Sequence, residues 1–259
     1  MTTDLSRSEI SEDAVLGGRL RLRQPTRGHR VGHDAILLAA ACRTEPGDCV
    51  VDLGAGVGAA GLALAIRTTG INVTLVEIDP ELVALADANV GLNGLTGRVR
   101  AVALDVRAPA RTFACAGLAP GSTGAVLMNP PFNDAARQQI SPDDGRRLAH
   151  EATHETLAGW AKTAARLLRP RGSLTMIWRA DGLADVLDAL TPNFGGVVML
   201  PVYPRPGQDA IRIIVRATLS GRAPLRLLPG LTLNGGDGRP TPEVEAVLRG
   251  GQELVLVQP

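Results

Sequence analysis

An amide, two rigid residues and an aromatic ring close one apolar run of this chain: Ala125-Val126-Leu127-Met128 leads straight into Asn129-Pro130-Pro131-Phe132. The prolines fix two φ angles and supply carbonyls without competing N–H donors. The Asn129 carboxamide oxygen and the Pro130 carbonyl can therefore both face one –NH2 group. Phe132 is then placed to stack on the flat ring that bears the amine. In isolation such a segment reads as a Pro-rich loop after a strand.

The upstream stretch Cys49-Val50-Val51-Asp52-Leu53-Gly54-Ala55-Gly56-Val57-Gly58, followed by Ala59 to Ala65, gives that segment its meaning. It reads as a buried strand, a glycine turn and a helix, an arrangement that lets backbone approach a nucleotide-like ligand. Asn72-Val73-Thr74-Leu75-Val76-Glu77 is a second strand ending in an acid suited to ribose hydroxyls. Gly56, Gly58 and Gly61 also match GxGxxG, so a nicotinamide dinucleotide is the competing ligand. Asp52 inside the first strand argues against it, because a carboxylate repels a pyrophosphate and favours the sulfonium and ammonium of S-adenosylmethionine. A third acid, in Val102-Ala103-Leu104-Asp105, and the Asn129 segment after the next strand point the same way.

These residues need a frame, and the apolar periods supply one. Strands are expected near 49–53, 73–77, 100–104, 124–128, 173–178, 196–202 and 210–218. Helices are expected near 59–68, 80–93, 148–169 and 181–190. Before them, Gly18-Arg19-Leu20-Arg21-Leu22-Arg23 alternates as a strand, and a helix follows from about Asp34 to Cys42. The last two strands are separated by Tyr203-Pro204-Arg205-Pro206-Gly207-Gln208, too short for a helical crossover, so they should pair antiparallel. The expected architecture is α/β, with a mostly parallel sheet ending in an antiparallel hairpin and helices on both faces. One domain over 1–259 accounts for it: an N-terminal extension (1–45), a cofactor-binding core (46–220) and a tail (221–259) with a short helix around Pro242 to Leu248.

Length and composition agree with one enzyme domain. At 259 residues and 45% hydrophobic content the chain can bury a substantial core. No apolar run is long enough to cross a bilayer, and Met1 to Ile10 is too polar for a signal core, so a cytoplasmic protein without membrane contact is expected. Cys42, Cys49 and Cys115 fit no metal spacing and read as reduced thiols, with Cys49 a small core residue. Net charge is only +1. The arginines nevertheless cluster: Arg19, Arg21, Arg23, Arg27 and Arg30 have no acid among them, and Arg205, Arg212, Arg216, Arg222 and Arg226 form a second basic region. These are either solvated faces or a track for a phosphate backbone.

DLGAGVG, VEID, the LD of Asp105 and NPPF, in this order and spacing, resemble the N6-adenine and N5-glutamine methyltransferase group. Val31-Gly32-His33-Asp34-Ala35-Ile36-Leu37-Leu38-Ala39 and Leu233-Asn234-Gly235-Gly236-Asp237-Gly238 make the chain similar to the bacterial tRNA(Val) adenine-N6 methyltransferase family, also described as methyltransferase small-domain proteins. The resemblance implies a class I methyltransferase fold and S-adenosylmethionine as cofactor. It also implies that Gly54, Gly56 and Gly58 line the methionine part and that Asp52 holds the ammonium, directly or through water. Glu77 would accept the ribose hydroxyls, Ile78 or Asp79 would border the adenine, and Asp105 would accept from its amino group. Asp34 would open the N-terminal helix beside the methionine end, or serve as an ordinary N-cap. Phe132 stands where tyrosine is commoner in adenine and glutamine enzymes, and phenylalanine is familiar there in guanine-N2 enzymes.

The implied reaction is direct methyl transfer to an exocyclic nitrogen held by Asn129 and Pro130, with the base flipped onto Phe132. An RNA, in the first place a tRNA, is the expected partner. Guanine N2 of an RNA, or a glutamine side chain of a protein substrate, fits the same clamp. A cofactor-binding scaffold without catalysis is the remaining alternative, and the intact NPPF speaks against it. His150-Glu151-Ala152-Thr153-His154 formally matches HExxH. Its continuation lacks a third ligand, so no metal site is expected. His150 or Glu151 would border the target pocket or begin a solvated helix.

Overall fold

The computed structural model describes residues 10–27, 30–131 and 144–256, with 144–154 described in their backbone alone. The chain opens with an antiparallel hairpin, β1 (Ile10–Val15) and β2 (Leu20–Pro25), joined by a 3-10 turn at Leu16–Gly18. β2 is the alternating segment expected from the sequence, with Leu20 and Leu22 fully buried. β1 has no counterpart among the expected strands, since ISEDAV is polar and largely half-exposed, and it exists by pairing with β2. Helix α1 (His33–Ala41) follows.

The central sheet is built from β3 (Cys49–Leu53), β4 (Asn72–Glu77), β5 (Val99–Ala103), β6 (Thr123–Met128), β7 (Leu168–Arg179), β8 (Phe194–Tyr203) and β9 (Arg212–Leu219). Two short strands, β10 (Arg226–Leu227) and β11 (Leu231–Thr232), pair parallel with β8 and complete it. The order is β10-β8-β9-β7-β6-β3-β4-β5. Strands β5, β4, β3, β6 and β7 run parallel, whereas β9 is antiparallel to both β7 and β8. The terminal hairpin is therefore as expected. The tail carries its expected helix at Pro242–Leu248, and its first part, where the sequence predicts no strand, covers the edge of β8, which would otherwise present unpaired backbone groups.

Helices cover both faces. On one lie α1, α2 (Ala59–Arg67), α3 (Pro80–Leu92) and α7 (Pro242–Leu248), packed with β2 over Val50, Val73, Leu75 and Leu127. On the other lie α4 (Ala110–Cys115), α5 (Asp144–Leu167) and α6 (Leu183–Leu190), over Val51, Leu53, Val126 and Met128. Neighbouring residues of one strand thus serve opposite cores, as a period of two requires. Cys49, expected in the core, is exposed at the start of β3; the buried thiol is Cys42, whose burial pushes its pKa up to about 12 and leaves it inert.

Two asparagines fasten the N-terminal hairpin to this frame. Asn89 of α3 accepts from Arg23 N (2.7 Å) and donates to Arg23 O (3.0 Å). Asn93, at the C-cap of α3, does the same with Arg21 N (2.9 Å) and Arg21 O (2.7 Å). Each carboxamide thereby replaces a neighbouring strand along the outer edge of β2. The fully buried Asn89 also donates to Val57 O at 3.0 Å, which ties the hairpin to the glycine turn after β3.

Candidate active site

The chain runs outward from β3 through β4 to β5, then returns to β6 on the other side of β3. Loops leaving β3 and β6 therefore diverge, and the crevice at their carboxyl ends is where ligands bind in open α/β sheets. Leu53 and Met128 are in register, so Gly54 and Asn129 leave the sheet side by side. Asn129 is half-buried, and its carboxamide oxygen is inaccessible to solvent with no hydrogen-bond partner among the described residues. Pro130 is buried and Pro131 exposed. Phe132 lies outside the described residues, as do the side chains of His150, Glu151 and His154.

The glycines of the turn have different physical reasons. Gly54 holds φ +68°, and a Cβ there would stand 2.3 Å from the Trp160 ring. Gly58, the left-handed N-cap of α2 at φ +89°, would meet Leu75 at 2.8 Å. Of the three, Gly56, at φ +56°, alone has open space among the described residues where its side chain would be, which leaves room for close approach to its backbone. Behind the turn, Gly61 packs so tightly that a Cβ would sit 2.3 Å from Leu75.

Asp52 lies beneath this turn rather than on its surface. It is 2% exposed, and its carboxylate accepts the Gly61 N–H at 2.8 Å in the first turn of α2. Burial pushes its carboxyl up to about 7, with the Gly61 N–H opposing and the charge of Glu77 adding to the rise. The folded protein thus holds this proton at pH values where the unfolded chain, near 3.8, has lost it. The stabilisation by the neutral acid is complete below about pH 4 and falls as pH rises towards 7. Cofactor-free protein is expected to lose about 2 kcal/mol between pH 5 and 7 through this group. Urea unfolding across that range checks it: Asp52→Asn should flatten the decline, and an identical slope in the variant would rule Asp52 out as its source.

At the end of β4, the Glu77 carboxylate is held by three backbone donors: Gly56 N at 2.9 Å, Ile78 N at 2.8 Å and Asp79 N at 3.0 Å. Ile78 is 61% exposed, an apolar surface at the mouth of the crevice. Asp79 caps α3 by accepting from Glu81 N at 2.9 Å. Asp105, after β5, accepts from Arg107 N at 2.8 Å in an Asx-turn and stays partly exposed. Asp34 is drawn elsewhere: it is the second residue of α1, whose cap is Gly32, and it pairs with Arg212 of β9 at 2.9 Å. The alternative of Asp34 as an N-cap is therefore corrected.

Trp160 and Thr163 of α5 escaped sequence reasoning. Trp160 packs on Gly54, while the Thr163 hydroxyl donates to Val106 O at 2.8 Å and Arg166 donates to Ala108 O at 3.1 Å. One helix face thus braces both the glycine turn and the loop that carries Asp105. The spacing of Leu157, Trp160, Ala161, Ala164 and Leu167, all buried, was the signal that could have found it.

Comparison with known proteins agrees with this geometry. The model of the methyltransferase small domain matches residues 29–200. The tRNA1(Val) (adenine(37)-N6)-methyltransferase of Tolumonas auensis is 30% identical over 149 residues, covering 57% of this chain and 58% of the relative. The release factor glutamine methyltransferase of Chlorobaculum tepidum is 28% identical over 173 residues, 64% of this chain and 58% of the relative. The chain therefore spans little more than half the length of these two relatives. Among solved structures, a predicted O-methyltransferase from Agrobacterium tumefaciens superposes with a TM-score of 0.72 at 29% identity, covering 85% of this chain and 98% of its own. With its switch-point crevice, glycine turn and strand-end acids, the chain belongs to the methyltransferase small domain family of S-adenosylmethionine-dependent enzymes.

Proposed function

We propose that this chain transfers a methyl group from S-adenosylmethionine to an exocyclic amine of a nucleobase in RNA, with adenine N6 in tRNA, for which the Tolumonas auensis relative is named, as the target. The observation that carries this reading is the Asn129 carboxamide oxygen, inaccessible to solvent and without a partner among the described residues, beside the glycine turn. Leaving such an acceptor unpaired costs about 1–3 kcal/mol, so it suits a site that receives a donor.

S-Adenosylmethionine, when bound, supplies a methyl carbon that leaves its sulfonium without the bonding electron pair. Glu77, pre-aimed by its backbone donors, keeps acceptor capacity for ribose hydroxyls, and Ile78 offers an apolar face to the adenine ring. Asp105 would accept from the adenine amino group with the oxygen that Arg107 N leaves free, while Asp52, once ionised above about pH 7, would add negative potential from beneath the turn to the cationic methionine end. Asp34, paired with Arg212, borders that end through α1.

Asn129 and the Pro130 carbonyl accept the two amine hydrogens of the target, so the nitrogen pyramidalises and directs its lone pair at the methyl carbon. The proton shed after transfer passes to water. Two acceptors also discriminate the nucleophile: an amine meets them with hydrogens, whereas a hydroxylate would meet them lone pair to lone pair. This favours nitrogen over the O-methylation for which the solved relative is named.

The test is transfer of labelled methyl to total RNA and total protein from a strain lacking the gene, followed by nucleoside and amino-acid analysis. Label in N6-methyladenosine is expected. Label confined to N2-methylguanosine or to N5-methylglutamine would overturn the choice of target.

A further inference from the structure

The two arginine-rich stretches have opposite fates in the fold. In the N-terminal one, Glu12 of β1 pairs with Arg21 and Arg23, and Asp13 pairs with Arg30 at 2.8 Å. Sequence spacing hid these acids because they lie on the strand before. In the later stretch, Arg212 sits at the crevice end of β9, where Asp34 holds it. Arg222 and Arg226 fall at the opposite end of the sheet, where Arg171, at the start of β7, joins them.

These three arginines line a cavity of about 500 Å³ together with Thr218, Ser220 and Gly196, and among the described residues no carboxylate lines it. Its floor is built by close backbone packing: a Cβ on Gly195 would lie 2.1 Å from Gly221 O, and Gly196 N donates to Ala223 O at 3.1 Å. Arg171 and Ser220 hold left-handed backbone at φ +63° and +54°, a conformation that costs L-residues about 1–2 kcal/mol. Further positive charge stands behind the wall. Arg216 is in register with Val198, a wall residue, and its guanidinium is held below its ordinary range by burial and then by the neighbouring charge of Arg43. A concave cluster of guanidinium forks with hydroxyls beside it matches the oxygens of a phosphodiester.

Between Arg212 and Thr218 the strand rises about 20 Å. That length corresponds to roughly six base steps of a duplex at about 3.4 Å each. It exceeds the reach of a single flipped nucleotide. We propose that this arginine-lined cavity, at the end of the sheet opposite the crevice, holds a backbone phosphate of the RNA substrate. The enzyme thereby selects a target loop attached to a base-paired stem over an isolated strand. The inference rests on the RNA reading given above and deepens it.

The variant R171Q/R222Q/R226Q tests it, with a folded tRNA transcript and a short oligonucleotide of the target loop as the two probes. Binding to the transcript should weaken at least tenfold, and the slope of log affinity against log salt should become shallower by about 0.9, the value for the one phosphate that the variant no longer neutralises. The ratio of kcat/KM on the transcript to that on the oligonucleotide should fall at least tenfold. Melting temperature and cofactor affinity serve as controls for the fold. An unchanged salt slope, or an equal loss on both probes, overturns the proposal. Failure of the unmodified protein to bind or methylate either RNA would instead sink the RNA reading itself.

Discussion

Asn129→Ala should lower the single-turnover rate of methyl transfer on the order of a thousandfold while cofactor affinity stays within about twofold. The size follows from electrostatic preorganisation, where deleting one aimed group in a dry site costs on the order of 100–1000-fold. Here the deleted group is an acceptor whose oxygen finds no partner among the described residues, so its removal leaves the ground-state fold little changed. The amine loses one of the two oxygens that draw its hydrogens out of the ring plane, and its lone pair stays delocalised. Asn129→Asp separates geometry from charge, since it keeps an acceptor oxygen in place, removes the amide hydrogens and adds a negative charge. Rapid-quench measurement with labelled cofactor, paired with calorimetric titration, provides both readouts. Full turnover in the alanine variant would dispose of the amine clamp.

The second large effect belongs to Gly54→Ala, which should abolish measurable cofactor binding and lower the melting temperature by roughly 5–15 °C. Two penalties combine. The added methyl would stand 2.3 Å from the Trp160 ring, and overpacking of this kind costs about 1–3 kcal/mol. The φ of +68° adds about 1–2 kcal/mol for any L-residue. Because Trp160 belongs to the helix that also braces the Asp105 loop, displacing it disturbs both ends of the cofactor crevice. Trp160→Leu in the Gly54→Ala background should recover the packing part of the melting temperature and not the backbone part. A Gly54→Ala protein that melts with the unmodified chain would refute this account of the turn.

The sequence displayed most of the sheet, because runs such as Cys49–Leu53 and Thr123–Met128 are apolar at every residue that the two cores need. The order of chemistry along it was also legible: Asp52, the glycines, Glu77, Asp105 and Asn129 come to neighbouring strand ends. What stayed hidden depends on distant partners. β1 is polar and exists through its register with β2, and β10 and β11 are two-residue strands defined by the edge of β8. Asp52 reads as a surface ligand until Gly61 is found to hold it from the helix side. Asp34 looks like a cap in the string His33-Asp34, yet its partner is Arg212, far along the chain. The period of Leu157, Trp160, Ala161, Ala164 and Leu167 marks a buried helix face, but that Trp160 rests on Gly54 follows from the packed helix alone.

The clasp of Asn89 and Asn93 on β2 has a temporal side. Both partners lie in or beside α3, and Asn89 also reaches Val57, so the outer edge of β2 has these hydrogen-bond partners only once that helix has been made and packed. At roughly 5–20 residues per second of synthesis, several seconds separate the emergence of Pro25 from that of Asn93. During that interval β2 carries Leu20 and Leu22 with their core incomplete, since Ala86 and Val90 of α3 belong to the same cluster. Of the described strands, the first two in sequence are thus among the later ones to be seated, and the glutamate and aspartate of β1 keep that waiting hairpin charged.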